Sequence, residues 1–182
     1  GSRLRDPHSG REIWPGSSAT LLASDYRGLE VEIDPDTLDQ RQDGIEAYEI
    51  FDEGLGRDFY GQVLRTLEKF GGYVRCGPCA KPRDDSRSLY VYPYDFRLDN
   101  IRAAQGLHEL IERIRGDYGD PQLQVDVLAH SNGGLLARYY SRYGTADLPE
   151  QGPFAPTGAG RPAIRRLLLV GTPNLGTIQP VL

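Results

Sequence analysis

The sequence predicts an α/β fold in which a parallel sheet carries helices on both faces. From Arg57 onward, helix-like and strand-like segments alternate along the chain, which is the order that builds parallel sheets. The strand-like segments contain continuous apolar runs, as in residues 167–170, and such runs indicate strands that are buried on both sides. The length of 182 residues fits one domain of ordinary size.

Apolar spacing places three helices and three strands after residue 56. It predicts helices over 59–70, 101–114 and 135–143, and strands over 89–92, 123–128 and 164–170. Small or polar residues mark the helix ends: Gly71 stops the first, Asp99 or Asn100 caps the second, and Gly144 ends the third. Residues 1–56 are rich in Gly, Pro, Asp and Ser, and they predict loops with short strand or helix pieces.

Charge and composition exclude several classes of protein. The chain has 26 acidic and 21 basic residues, a formal charge of −5 and no basic block, which argues against nucleic acid as the main partner. Its longest apolar run, residues 167–171, is far shorter than the roughly 20 residues of a membrane span. No signal-peptide pattern is visible, so we expect a soluble protein and favour the cytoplasm. Because the chain contains no Met, we expect an internal piece of a longer protein.

The most informative residue is Ser131, at the junction of a predicted strand and a predicted helix. A serine on such a sharp turn presents its hydroxyl above the carboxyl edge of the sheet, where it can act as a nucleophile. Small residues must flank the turn, and Ala129 and Gly133 meet that need. The backbone N–H of Asn132 would face the oxyanion of a tetrahedral intermediate. The alternative is a serine that only caps the helix, but the strand before it and the helix after it favour the nucleophile.

Other residues that often carry chemistry have structural explanations here. His130 adjoins Ser131 and would point away from the attacking hydroxyl. His108 lies between apolar positions of the second predicted helix, which is typical of a partly exposed structural histidine. Asp95 and Arg97 follow a predicted strand and predict a structural ion pair.

Cys76 and Cys79 have the Cys-x-x-Cys spacing of dithiol redox proteins. That chemistry depends on a helix that starts after the second cysteine, but Pro82 and the polar run 83–86 predict none. A zinc site would need more Cys or His residues nearby than the chain offers. We therefore interpret the cysteines as a loop pair, and a dithiol redox protein is the less favoured alternative function.

Five motifs together resemble the lecithin:cholesterol acyltransferase family of α/β-hydrolases, in a bacterial-type form. In chain order they are GSRL at 1–4, GREIWPG at 10–16, YPYDFRL at 92–98, AHSNGG at 129–134 and LLLVGTPNLGT at 167–177. They follow the family's order over most of the chain. Two positions depart from the family's pattern: Phe96 stands where Trp is usual, and Asn132 stands where Met is more common.

The resemblance implies that residues 57–182 are the central part of an α/β-hydrolase fold and that residues 1–56, around Trp14, are a lid-like segment. It implies serine-dependent acyl transfer from a (phospho)lipid or other ester to water or an alcohol. Ser131 would carry the acyl group, and the N–H of Asn132 would be one oxyanion donor. No metal or organic cofactor is implied, and the partners are an ester or lipid substrate and a transient lipid surface. A non-catalytic α/β binding module is the main alternative.

The resemblance also implies that this chain lacks the rest of a catalytic triad. In these hydrolases the order is Ser, then Asp or Glu, then His, yet His8, His108 and His130 all precede Ser131. The implied acid and base follow later strands beyond residue 182, and the second oxyanion donor precedes residue 1. We therefore expect little or no hydrolysis from the isolated chain.

Overall fold

The computed structural model describes residues 1–17, 26–41, 43–54, 57–77, 87–149 and 151–176. This part of the chain has a mixed α/β fold with three α-helices and short strand pairs, two of which are parallel. The predicted α/β class is confirmed at that level. The chain forms two compact units, 1–98 and 99–182, and each is described by itself. The boundary near residue 56, which marks a change in sequence pattern, stays a prediction.

An antiparallel sheet occupies the start of the first unit. Strand β1 (Ser2–Arg5) lies between β2 (Glu12–Trp14) and β3 (Glu46–Ile50). Leu4 of β1 is fully buried and lies opposite Trp14 of β2. The short strand pieces expected among residues 1–56 include these three strands.

The rest of the first unit contains a short hairpin, one helix and a parallel strand pair. The elements are β4 (Glu53–Gly54), β5 (Arg57–Asp58), α1 (Gly61–Lys69), β6 (Tyr73–Cys76) and β7 (Arg87–Tyr90). Strands β4 and β5 pair antiparallel, whereas β6 and β7 pair in parallel. The helix predicted over 59–70 and the strand predicted over 89–92 are confirmed, with bounds that differ by one or two residues.

The sequence does not predict strand β6, and this strand corrects the interpretation of Cys76 as a loop residue. Cys76 is the last residue of β6 and pairs with Tyr90 of β7. The two central residues of β6, Val74 and Arg75, are both exposed, so the strand has no apolar run from which it could be predicted. Cys79 lies outside the described residues.

The ion pair predicted between Asp95 and Arg97 is present, and Asp43 extends it. The Arg97 guanidinium donates to Asp95 Oδ2 at 2.6 Å and to Asp43 Oδ2 at 2.7 Å. Its side chain is only 3% exposed. The hydrogen bonds from Arg97 hold the pKa of the Asp43 carboxyl below its usual range. This cluster connects the segment after β7 to the loop before β3.

The second unit alternates helix and strand as predicted. Its elements are α2 (Asn100–Tyr118), β8 (Val125–His130), α3 (Asn132–Tyr143) and β9 (Ile164–Val170). Strands β8 and β9 pair in parallel. Asp99 caps α2, because its carboxylate accepts hydrogen bonds from the N–H groups of the second and third helical residues. Of the two caps considered from the sequence, Asp99 is therefore the right one.

Several boundaries in the second unit differ from their predicted positions. Helix α2 ends at Tyr118, four residues after its predicted end, and β8 ends at His130, two residues after its predicted end. Helix α3 begins at Asn132, three residues before the predicted start. Gly133 and Gly134 lie in its first turn. Because glycine is a poor helix former, the sequence does not predict a helix over these residues. Strand β8 begins two residues later than predicted, because Leu123 closes a turn by donating its N–H to the carbonyl of Asp120.

Helices α2 and α3 pack against each other through apolar side chains. The buried residues are Ala103, Ala104, Leu107, Ile111 and Ile114 of α2, and Leu136, Ala137 and Tyr140 of α3. Each large apolar side chain gains about 1.5–3 kcal/mol from full burial. Asn100 contacts Asn132 and His108 contacts Tyr140. Because the second pair lies further along both helices, the helices run in the same direction and begin at the same end of the unit.

The β8–β9 pair has one covered face and one open face. Helix α3 contacts both strands, and Ala129 of β8 is buried. On the opposite face Leu128, Leu168 and Val170 are 48%, 49% and 52% exposed. For this pair, the prediction of helices on both faces is not met within the described part of the chain.

Candidate active site

Ser131 follows β8 directly and has a backbone conformation that is unusual for a residue other than glycine. Its φ is 53° and its ψ is −127°. Tyr26 also has a positive φ of 56°, but its ψ of 15° keeps it in the left-handed helical region, where single residues are tolerated. The conformation of Ser131 lies outside that region. Such strain costs on the order of 1–3 kcal/mol and concentrates at functional sites.

Backbone hydrogen bonds hold Ser131 from both sides. Its N–H donates to the carbonyl of Val170 in β9 at 3.0 Å, and its carbonyl accepts from the N–H of Gly134 in α3 at 3.0 Å. Ala129, two residues earlier, is buried, which agrees with the prediction that this position requires a small residue. The Ser131 side chain makes no capping hydrogen bond to α3. Ser131 occupies the N-cap position of α3, but the side-chain capping bond that the alternative interpretation requires is absent.

The structure adds Gly134 to the small residues that this turn requires. A Cβ atom at Gly134 would lie 1.9 Å from Thr172 Oγ1 and 2.8 Å from Thr172 Cβ. Thr172 thus occupies the space that a side chain at this position would need. The Thr172 hydroxyl is buried and has no hydrogen-bond partner among the described residues. The sequence shows the glycine but not this contact, because Thr172 belongs to a distant segment.

Residues 171–176, which follow β9, lie along the first half of α3. Thr172 packs against Gly134, and Asn174 accepts a hydrogen bond from Arg138, one helical turn further along. These two contacts fix the segment after β9 to the helix that begins directly after Ser131. The turn is therefore supported by β9, through its backbone, and by the residues after β9, through their side chains.

Asn132, the predicted oxyanion donor, is the first residue of α3. The first N–H groups of a helix have no partner within the helix, and the helix dipole favours negative charge beside them. The side-chain amide of Asn132 pairs with that of Asn100, the first residue of α2. Nδ2 of Asn132 donates to Oδ1 of Asn100 at 3.0 Å, and Nδ2 of Asn100 donates to Oδ1 of Asn132 at 3.4 Å. The sequence identifies Asn100 only as a possible cap.

The two histidines of the second unit make contacts away from the Ser131 hydroxyl. His108 Nδ1 lies 3.1 Å from the Tyr140 hydroxyl, and burial raises the pKa of that hydroxyl. His130 is exposed on the open face of β8, beside Gly171. Within the described part of this unit, no hydrogen bond joins a histidine to Ser131 Oγ. The described residues of this unit therefore present the Ser131 hydroxyl, the predicted nucleophile, and no histidine bonded to it.

Neither a metal cluster nor a membrane-spanning helix occurs among the described residues. No group of three or more His, Cys, Asp or Glu side chains lies close enough together to hold a metal ion. No helix in the same residues combines the length and apolar character that crossing a bilayer requires. The groups that the site does present are a hydroxyl and backbone N–H donors.

Comparisons of this chain with protein-family models, with curated proteins and with solved structures find no match. The chemical groups of the site itself therefore carry the information about its function. These are the hydroxyl of Ser131, the N–H of Asn132 and the contacts that hold them at the end of β8 and the start of α3.

Proposed function

We propose that Ser131 is the nucleophile of an enzyme that transfers acyl groups from an ester through an acyl-Ser131 intermediate. The observation that carries this proposal is the strained conformation of Ser131, φ 53° and ψ −127°, between a parallel strand and a helix. A turn of this kind exposes a serine hydroxyl above the carboxyl end of a sheet. The side chain does not use that hydroxyl to cap α3, so it is available to a substrate.

In the proposed reaction a base removes the Ser131 proton while Oγ attacks the carbonyl carbon of the ester. The carbonyl oxygen becomes an oxyanion, which the N–H of Asn132 stabilises together with the dipole of α3. Collapse of this intermediate expels the alcohol, which takes the proton from the base, and leaves acyl-Ser131. Water or a second alcohol then gives its proton to the base and attacks the acyl group, and the base returns that proton to Ser131 Oγ as the bond to the acyl group breaks.

The sequence motifs support a more specific form of the proposal. They resemble the lecithin:cholesterol acyltransferase family of α/β-hydrolases, so we propose that fold and a (phospho)lipid or other ester as the substrate. The strand–serine–helix turn is the arrangement that α/β-hydrolases use. The proposed reaction also needs a base, and none of the described histidines of the second unit bonds to Ser131 Oγ, so activity is to be measured on the full-length protein.

A fluorophosphonate probe tests the proposed function, because it labels activated serine hydroxyls covalently. We expect labelling of the complete protein at Ser131, located by mass spectrometry, and no labelling of the Ser131→Ala variant. Hydrolysis of a short-chain nitrophenyl ester is expected to fall by a factor of about 10⁶ in kcat in that variant, with an unchanged melting temperature. Ser141→Ala, a serine of α3 beyond the turn, is the matched control and is expected to label normally.

The same experiment separates the alternatives. A folded complete protein that neither reacts with the probe nor hydrolyses the ester would contradict acyl transfer and favour a non-catalytic α/β binding module. Equal ester turnover by the wild type and Ser131→Ala would show that another group carries the chemistry.

A further inference from the structure

We propose that Thr172 is a positioning residue for this reaction, because its side chain fixes the first turn of α3 against the end of β9 and so determines where the Ser131 hydroxyl lies. The inference rests on the proposed function, since it concerns the placement of the proposed nucleophile. In this role Thr172 acts through Gly134 and the backbone of Ser131 rather than on the substrate.

Ser131 is held at two points, and Thr172 connects them. The Ser131 N–H donates to the carbonyl of Val170, at the end of β9. The Ser131 carbonyl accepts from the N–H of Gly134, in the first turn of α3. Thr172 follows Val170 by two residues, and its side chain lies against Gly134. The contact between Thr172 and Gly134 therefore closes a ring of bonds and contacts around Ser131, so that the two supports do not move independently.

The strained conformation of Ser131 makes this ring necessary. A residue with φ 53° and ψ −127° persists only where the surrounding structure over-determines its backbone. The two backbone hydrogen bonds, each at 3.0 Å, hold Ser131 to its neighbours, but each bond follows any movement of the segment that it joins. If the first turn of α3 shifts relative to β9, Ser131 relaxes and its hydroxyl leaves the position from which it attacks.

The atom of Thr172 that comes closest to Gly134 is its hydroxyl oxygen. A Cβ at Gly134 would lie 1.9 Å from Oγ1 and 2.7 Å from Cγ2. Since a Cβ is one bond away from the Cα, Oγ1 lies nearer to the Gly134 Cα than the roughly 3.5–4.0 Å at which two carbon atoms pack best. An oxygen atom fits this gap because it is smaller than a methyl group. The fit accounts for a buried hydroxyl that has no hydrogen-bond partner among the described residues, although such a group costs free energy.

The proposal predicts a specific effect of Thr172→Ala on the full-length protein. Alanine removes Oγ1 and Cγ2 and so releases the first turn of α3. Misplacement of a reacting group by about 1 Å costs about 10²-fold in rate, and for a smaller shift we expect a fall of about tenfold in kcat. KM should stay unchanged, because the position of the hydroxyl matters in the transition state rather than in substrate binding. The rate of fluorophosphonate labelling at Ser131 should fall in parallel.

Two further variants separate the position of the oxygen from the bulk of the side chain. Thr172→Ser keeps the oxygen that lies against Gly134, and we expect it to recover most of the rate that alanine loses. Thr172→Val keeps the bulk but replaces the oxygen with a methyl group that is too large for the gap. We expect its kcat to fall about as far as that of the alanine variant, with a lower melting temperature. A side chain that only fills space predicts the reverse order, with valine closer to the wild type than serine.

Thr157→Ala provides the matched control. The Thr157 hydroxyl donates to the carbonyl of Arg142, in the last turn of α3, so the same substitution removes a contact with the same helix at the end away from Ser131. We expect this variant to keep the wild-type kcat. Melting temperatures of all variants show whether each one is folded, and the rates are measured below the lowest of them.

Two outcomes would overturn the inference alone: Thr172→Ala with the same kcat as Thr157→Ala, or Thr172→Val with a higher kcat than Thr172→Ser. If Thr172→Ala does not fold, the comparison of serine with valine decides by itself. A wild-type activity that does not depend on Ser131 would overturn the proposed function, and the inference with it.

Discussion

Two segments that follow parallel strands use their polar groups in opposite ways. After β7, Arg97 bonds to Asp95 and to Asp43, and its side chain is almost completely buried. After β8, Ser131 holds a strained backbone conformation, and its hydroxyl does not cap the helix that follows. The first segment uses its charges to stabilise the fold. The second segment combines a strained backbone at Ser131 with a hydroxyl that makes no capping bond. Strain of this kind concentrates at functional sites, and the combination therefore favours a functional role.

The largest stability effect is expected at the charged cluster. Arg97→Ala leaves the mostly buried Asp95 without its cation, and breaking a buried ion pair costs about 3–5 kcal/mol. Arg165→Ala removes a comparable pair with Asp126, but the Arg165 side chain is 60% exposed, so its loss should cost less than about 1 kcal/mol. Denaturant unfolding of both variants measures the difference. Equal losses would show that the Arg97 cluster is no more important to stability than a surface pair.

The next largest effect concerns whether glycine or alanine is the more stabilising replacement for a serine. Glycine accepts the backbone conformation of Ser131 without strain, so we expect Ser131→Gly to be more stable than Ser131→Ala by about 1 kcal/mol. At Ser141, within α3, alanine should be the more stable of the two by about 1 kcal/mol. Thermal unfolding of the four variants measures both differences. The strain assigned to Ser131 is refuted if alanine is the better residue at both positions.

The smallest effect is a pH dependence at the charged cluster. Arg97 holds the pKa of Asp43 below its usual range, so folding favours the ionised carboxylate. The resulting stabilisation is complete above the ordinary carboxyl pKa of about 4 and is lost as the pH falls through the lowered value. The free energy of unfolding of the wild type should therefore fall more steeply with acid than that of Asp43→Asn. Parallel acid titrations of the two proteins would contradict this.

The local features of both segments could be predicted from the sequence. The turn at Ser131 depends on residues that are adjacent in the chain: a strand, a serine between small residues, and a helix. The Asp95–Arg97 pair is local in the same sense, because only one residue separates its members. In both cases, residue type and short spacing carry the information.

Two features that the sequence does not predict depend on contacts between distant segments. The Asn100–Asn132 pair joins the starts of two helices, and the contact between Gly134 and Thr172 joins a helix to the residues after β9. Neither leaves a periodic signal. Strand β6 is missed for another reason, since its exposed central residues do not produce the apolar run by which a buried strand is recognised.

The close approach of Thr172 to Gly134 also restricts how this sequence can diverge. A methyl group at 134 would overlap the Thr172 side chain, so a descendant with alanine at 134 would need glycine at 172. Neither replacement stabilises the fold by itself, because alanine at 134 clashes with Thr172 and glycine at 172 removes the side chain that packs against Gly134. We therefore expect the two positions to change together or not at all, and an alignment of descendants would show them as a covarying pair.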